Sequence, residues 1–329
     1  MSRKSQFVRE KMVTAGNLIV RYRLAFKMRE RKAIRNPFSK NHSDKVFYII
    51  RRGDYDIGLF SFINTFLAYI AVCIKSNKIP VIDMETYENM YLSKEKQGRE
   101  NAWEYYFEQP MGYGLQDISK ARHVIWGRGS APFPSIDVEN IIFGRDNAVY
   151  WKKIYKDYIR LNSRMLSMID KEYNKFFDED DIVLGIICRG SDYTALQPKD
   201  HAIQATPEMV IDYAEKMIGR GNYNKVYLAS EDAMIIGKFT SWAKDTDQRL
   251  SYSDVPRFAD TGKKYLYQIS SCDAEYSRRK RGEDYLMTTG VIAKCQGLLA
   301  SGVSGCVYGA VLMADHFDEK FVFELGLYE

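Results

Sequence analysis

Ile182-Val-Leu-Gly-Ile-Ile-Cys188 runs directly into Arg189-Gly-Ser-Asp-Tyr193, and this junction decides the fold. Seven uncharged, mostly branched residues in a row read as a strand buried on both faces, the habit of parallel sheets. An Arg, a Gly and two polar residues then mark the strand's carboxyl end. The pattern recurs twice downstream. Val226-Tyr-Leu-Ala229 ends in Ser230-Glu-Asp232, and Gly297-Leu-Leu-Ala300 ends in Ser301-Gly-Val-Ser-Gly305. Between the first two lies a helix announced by Thr206 as N-cap, Pro207 and Glu208. Repeated strand–loop–helix units make an α/β domain with a parallel sheet, in which ligands sit outside the carboxyl ends of the strands.

A second unit of this kind lies upstream. Val46-Phe-Tyr-Ile-Ile50 reads as a strand and Arg51-Arg-Gly-Asp-Tyr-Asp-Ile-Gly58 as its loop. An apolar helix follows from residue 59, and then the strand Ile79-Pro-Val-Ile82. Residues 57–74 and 297–314 each run uncharged for 18 residues, the lower limit for crossing a bilayer. Both follow strand-like segments, so they read as buried helices. Residues 84–145 are irregular and aromatic, with a short strand at His123-Val-Ile-Trp126. Residues 147–177 carry a helical stripe from Trp151 to Ile169 and read as one long connecting helix. Residues 250–281 read as polar loop, 283–294 as helix, and 297–300 as the last strand. The expected organisation is a basic arm (1–40), a first α/β domain (41–146), a connecting helix (147–180) and a second α/β domain (181–329).

Composition narrows the function. The 329 residues are 46% hydrophobic and 28% charged, enough for a sizeable core and against global disorder. Residues 1–40 hold 12 Lys or Arg and 2 Asp or Glu. With a whole-chain charge of +5, residues 41–329 carry −5, which argues against a nucleic-acid-binding body. The arm interleaves apolar and basic residues at loose helical spacing, suiting either a solvated helix or a segment on an anionic membrane surface. Five Cys without a CxxC pair imply neither a disulfide frame nor structural zinc, and a reducing, cytoplasmic setting. Met1-Ser2-Arg3-Lys4 is not followed by a signal-peptide core. No GxxxxGK(S/T), GxGxxG, HExxH or GxSxG occurs, which removes P-loop, ordinary dinucleotide, zincin and serine-hydrolase readings.

The three carboxyl-end loops suit a diphosphate. Arg189 can grip two phosphate oxygens in a fork, Gly190 lets the backbone approach, and Ser191 adds a hydroxyl. Ser301, Ser304 and Gly305 open a helix whose N-terminal N–H groups attract anions. Glu231 and Asp232 offer carboxylates to a ribose hydroxyl or a base N–H. The same residues also fit plainer roles: an Arg189–Asp192 salt-bridge turn, a Ser304 N-cap, and acids complementing a helix dipole. Asp54-Tyr-Asp56 is a DxD, which in some glycosyltransferases holds a divalent metal.

Taken in order, these three segments resemble motifs I–III of the GDP-fucose-dependent fucosyltransferase superfamily, which includes α1,2-, α1,6- and protein O-fucosyltransferases. Within that group the chain looks most like bacterial glycosyltransferases of surface-polysaccharide clusters. Gly185–Tyr193 is similar to the strand-plus-HxRxxD of motif I, Val226–Asp232 to motif II, and Leu298–Gly305 to motif III. The resemblance implies a GT-B-like fold, two Rossmann-like domains with parallel sheets facing a cleft. It implies GDP-fucose as donor, no metal or other cofactor, inversion at the anomeric carbon, and a glycan acceptor such as a lipid-linked polysaccharide intermediate. It places Arg189 on the β-phosphate, Ser304 and Gly305 in the diphosphate turn, and Glu231 and Asp232 on the acids of motif II. His201 falls in a comparable donor-facing segment, and Gly58 in the glycine-rich first loop. Two departures stand out: Ile187 occupies the motif I His position, and Gln197 the place of a Glu that follows motif I. The base is therefore left among Asp56, Asp54 and Asp192. Ile49–Tyr55 copies the α1,2 form of motif I more literally, but motifs II and III follow Arg189 at suitable distances. Competing expectations are a transferase for another sugar nucleotide and a nucleotide- or polyanion-binding module without transfer chemistry. The arm implies peripheral attachment to the inner face of a membrane.

Overall fold

A computed structural model describes residues 31–34, 44–52, 57–119, 121–127, 136–189, 191–257 and 277–329, with 31–34 and 191 described by backbone alone. The first sheet holds β1 (Arg31–Ile34), β2 (Val46–Ile50), β3 (Ile79–Ile82) and β4 (His123–Trp126), in the order β1-β4-β2-β3. β2 lies parallel to β3 and β4, whereas β1 pairs antiparallel with β4, Arg31 opposite Trp126. Four residues of the basic segment thus form an edge strand, not the expected helix. The unpaired edge of β4 offers them a ladder that loose amphipathic spacing cannot match. The rest of residues 1–40 lies outside the described residues.

α1 (Leu59–Lys75) connects β2 to β3 and is buried along most of its length. No described helix is long and apolar enough to cross a membrane. Further on, after the short α2 (Val138–Phe143), two helices, α3 (Ala148–Tyr158) and α4 (Ser163–Phe176), replace the single long helix expected over 147–177. The break has a local cause. Leu161 bridges to Phe107, the Asn162 N–H donates to the Tyr106 carbonyl (2.9 Å), and the Asn162 side chain accepts from the Met165 N–H to cap α4 (2.9 Å).

The second sheet is wholly parallel. Its strands β5 (Val183–Ile187), β6 (Lys225–Ala229), β7 (Leu250–Ser251), β8 (Gly297–Ala300) and β9 (Glu319–Val322) lie in the order β7-β6-β5-β8-β9. β9 was not legible as a strand: Glu-Lys-Phe-Val is a half-buried edge segment without an apolar run. Its helices are α5 (Ser191–Leu196), α6 (Pro207–Arg220), α7 (Ala233–Asp245), α8 (Arg278–Ala293) and α9 (Gly305–Met313). Thr206 caps α6 as expected, accepting from the Met209 N–H at 3.3 Å. α8 starts at Arg278, five residues earlier than anticipated, because the Ser277 hydroxyl accepts from the Lys280 N–H (3.1 Å) and opens the helix inside the basic run.

The chain runs β5-β6-β7 in one direction and then crosses to β8-β9, so the switch point falls between β5 and β8. A crevice opens at such a point at the strands' carboxyl ends. The two sheets meet there. Phe60, the second residue of α1, packs edge-on against Tyr285 (5.6 Å) and Tyr308 (6.4 Å). A Cβ on Gly309 would stand 2.0 Å from the Phe60 ring, so only glycine seats it. The Tyr308 hydroxyl donates to Asn64 (3.0 Å). One continuous apolar cluster takes in Ile50 and Ile82 of the first sheet and Ile187 and Leu298 of the second.

Candidate functional site

β5 ends buried at Ile187, and Arg189 follows at the switch point. Its backbone is pinned: the Arg189 N–H donates to the Ser301 hydroxyl (2.9 Å), which donates to Gln204 (2.9 Å). The Ser301 N–H donates to the Ile187 carbonyl (2.9 Å). Ser301 is buried, so it fastens the loops after β5 and β8 together and does not face a donor directly.

The Arg189 guanidinium is held from two sides. One terminal nitrogen donates to Asp192 (3.3 Å), and the plane lies 4.5 Å over the Tyr193 ring. Its Nε is buried without a hydrogen-bond partner among the described residues. An unsatisfied buried donor is costly, and an incoming anion removes that cost. Burial disfavours the Arg189 charge, but Asp192, Tyr193, Glu231 and Tyr285 more than offset it, so the guanidinium stays ionised. Asp192 is fully buried against Arg189 and accepts from the Tyr193 N–H (2.9 Å). It is placed to orient Arg189, not to reach an acceptor hydroxyl. Gly190 lies outside the described residues, as do Asp54 and Asp56, and only the backbone of Ser191 is described.

The other expected residues divide by role. Ser304 caps α9, accepting from the Val307 N–H (3.4 Å), while Gly305 is exposed at the helix start. A Cβ there would meet the Tyr285 hydroxyl at 3.1 Å. Asp232 is buried and caps α7, accepting from the N–H groups of Met234 (2.8 Å) and Ile235 (3.3 Å). Glu231 reaches the surface, but the carboxyl is largely enclosed by the surrounding protein, and this burial raises it above the ordinary range. Asp192 pushes in the same direction, and Arg189 and Arg281 pull against it. His201 is exposed, and its ring meets Tyr193 edge-on at 5.7 Å, one ring removed from Arg189. Gly58 is the N-cap residue of α1 and has no side chain with which to cap it. Gln197 is exposed at φ +44°, just past the end of α5. Among the described residues no three His, Cys, Asp or Glu side chains are grouped to hold a metal.

Three further residues complete the site. Arg281 and Tyr285 share one face of α8, four residues apart. Tyr285 lies in the fields of Arg189, Glu231, Tyr91 and Cys306, and burial keeps its phenol neutral. Cys306, in the first turn of α9, has its thiol pushed up to about 11 by burial, so it is protonated at neutral pH. The basic run 278–281 was the available sequence signal for Arg281, but reading it as loop hid which side chain faces inward.

The fold, with its two sheets joined at their carboxyl ends, is that of GT-B glycosyltransferases. No family model matches the sequence, and no curated protein is similar to it by sequence. Among solved structures, fucosyltransferase NodZ from Bradyrhizobium is similar over 85% of this chain and 96% of that chain, at 17% identity and a TM-score of 0.51. POFUT1 in complex with GDP-fucose is similar over 88% of this chain and 99% of that one, at 9% identity and a TM-score of 0.52. At such identities the likeness establishes the shared fold.

Proposed function

We propose that the chain is an inverting glycosyltransferase that moves fucose from GDP-fucose to a hydroxyl of a glycan, without a resident metal. The observation that carries this reading is Arg189, a cation fixed at the switch point whose Nε is buried without a partner among the described residues. As the glycosidic bond to the donor breaks, negative charge grows on the β-phosphate. A guanidinium already locked by Asp192 and Tyr193 meets that charge without reorganising. The first N–H groups of α9, at Gly305 and Cys306, follow the carboxyl end of β8, the strand paired with β5, and would favour an anion there. The likeness of fold to POFUT1, solved with GDP-fucose, supports this choice of donor.

The acceptor hydroxyl must lose a proton as it attacks. Asp54 and Asp56 remain the candidates for that base, in the loop after β2, whose carboxyl end abuts the Arg189 side through Phe60 and Tyr285. Asp192 acts on Arg189 instead. Residues 1–30 would hold the enzyme against an anionic surface bearing a lipid-linked glycan; removing them should weaken binding to anionic vesicles at low salt, and unchanged binding would remove that idea.

The donor is tested by thermal shift with GDP, UDP, CMP, GDP-fucose and GDP-mannose, each with and without EDTA. A ligand that binds only the native state raises its melting temperature. Selective stabilisation by GDP and GDP-fucose, indifferent to EDTA, is expected. A preference for uridine nucleotides, or loss with EDTA, contradicts this reading.

A further inference from the structure

Gln197-Pro-Lys-Asp-His-Ala-Ile-Gln204 joins α5 to α6 and carries no motif, yet the structure fixes its end from both sides. One side is a short ribbon made with the segment that follows β9. The Asp200 and Ile203 N–H groups donate to the Tyr328 and Gly326 carbonyls, and the Tyr328 N–H donates to the His201 carbonyl, each at 2.9 Å. Ala202 bridges antiparallel to Leu327 between them. Gly326 takes φ +92°, a backbone state that favours glycine. The other side is the start of α6. There the Ala205 N–H donates to the Ser301 carbonyl (2.6 Å), and Thr206 caps the helix.

The Gln204 side chain is buried between the loops that follow β5 and β8. Its Oε1 accepts from the Ser301 hydroxyl (2.9 Å), and its Nε2 donates to the carbonyls of Val303 and Ala202, both at 3.1 Å. The directions of these bonds are not interchangeable. The Arg189 N–H can only donate, so the Ser301 oxygen accepts from it and sends its own hydrogen to Gln204. The Gln204 atom facing Ser301 is therefore the oxygen, and the amide hydrogens match the two carbonyls. A glutamate would set a second oxygen against those carbonyls. Asparagine is one methylene short, and methionine fills the space without a hydrogen bond. Gly302 completes the fit, since a Cβ there would stand 2.8 Å from the amide nitrogen.

The two loops joined in this way are those assigned above to the diphosphate. Arg189 hangs on the amide through Ser301, and Val303 immediately precedes Ser304, the cap of α9. One buried carboxamide thus fixes the guanidinium loop relative to the first turn of α9. We propose that Gln204 is a positioning residue of the donor site, setting the span that a diphosphate must bridge between Arg189 and the start of α9. This rests on the donor reading above and adds to it the element that holds the two loops in register. A ligand with two phosphates must meet both loops at once, and a loosened span removes that preorganisation. GMP, with a single phosphate, depends on the span less.

Calorimetry with GDP and GMP, on the full chain and on variants that keep a cooperative melt, provides the test. Gln204→Met should weaken GDP about tenfold and GMP less than about threefold, with the stoichiometry unchanged. Ser301→Ala breaks the same link one bond further on and should weaken GDP by a similar factor. The double variant should then be no more than about twofold worse than either single one. If Gln204→Met does not fold, Gly302→Ala displaces the amide from the other loop and should show the same preference. Unchanged GDP affinity in a folded Gln204→Met would reduce the residue to a structural one and overturn the proposal. Equal weakening of the two nucleotides, or losses that multiply in the double variant, would overturn it as well. If the unaltered chain binds no GDP, the donor reading itself falls, and this inference with it.

Discussion

Arg51-Arg-Gly-Asp-Tyr55 and Arg189-Gly-Ser-Asp-Tyr193 are near copies, each at the carboxyl end of a parallel strand and each at a switch point of its sheet. Their arginines have opposite fates. Arg51 donates to buried Asp83 (2.5 Å) and stacks 4.4 Å over Trp126. Arg52 turns back onto α1, donating to the Ser61 carbonyl and the Thr65 hydroxyl, both at 2.6 Å. Asp83 is itself held by the Glu85 and Thr86 N–H groups and the Thr86 hydroxyl. The first pair of guanidinium groups is thus built into the scaffold. Arg189 is anchored by Asp192 and one aromatic face, and keeps a buried donor unmet among the described residues. What distinguishes a binding arginine from a structural one is the set of acceptors already around it, and a short motif does not encode that set.

The contrast can be broken at several points. The largest effect is expected on the scaffold side. Arg51→Met leaves Asp83 buried beside an apolar side chain and should cost about 3 kcal/mol of stability, read as a lower urea midpoint, with GDP affinity kept in the folded fraction. Arg189→Ala also leaves a buried carboxylate, Asp192, without its cation and should lower the urea midpoint too, but here GDP affinity and sugar transfer of the folded fraction should fall as well, about 100-fold or roughly 2.7 kcal/mol. Asp192→Asn retains the shape but weakens the anchor of Arg189. A drop of about tenfold in kcat/KM is expected, and an unchanged value would show that Arg189 needs no positioning.

The smallest effect concerns Glu231. Its carboxyl is raised from 4.5, so between pH 4.5 and the higher native value the folded chain binds more protons than the unfolded chain. The associated stability is complete below that window and is lost as pH rises through it. Glu231→Gln should therefore melt slightly above the unaltered chain at pH 7, with the gap closing near pH 4. A gap that is absent at pH 7 would mean that Arg189 and Arg281 already offset the burial.

The sequence carried much of the fold because buried parallel strands advertise themselves as unbroken apolar runs, as at Val46–Ile50 and Val183–Ile187. Edge strands do not. Glu319–Val322 and Arg31–Ile34 are polar, and pairing partners remote in sequence decide them. The break between α3 and α4 was hidden for the same reason, since it depends on Phe107 and Tyr106 some fifty residues upstream. At the site, spacing alone brought Arg189, Glu231 and the 301–305 turn to one end of one sheet. It could not show that the Ser301 hydroxyl is taken up by the Arg189 N–H and Gln204, or that Asp232 caps α7. It also missed Arg281 and Tyr285, which enter from a helix whose start is set by one serine cap.

The most direct measurement is a calorimetric titration of GDP into three proteins: the unaltered chain, Arg189→Ala and Arg52→Ala. A donor site on the second loop predicts saturable binding by the unaltered chain, loss of binding in Arg189→Ala despite a cooperative melt, and retained affinity in Arg52→Ala despite a lowered melting temperature. Retained GDP binding in Arg189→Ala, with loss in a folded Arg52→Ala, would place the anion site on the first loop and contradict the assignment.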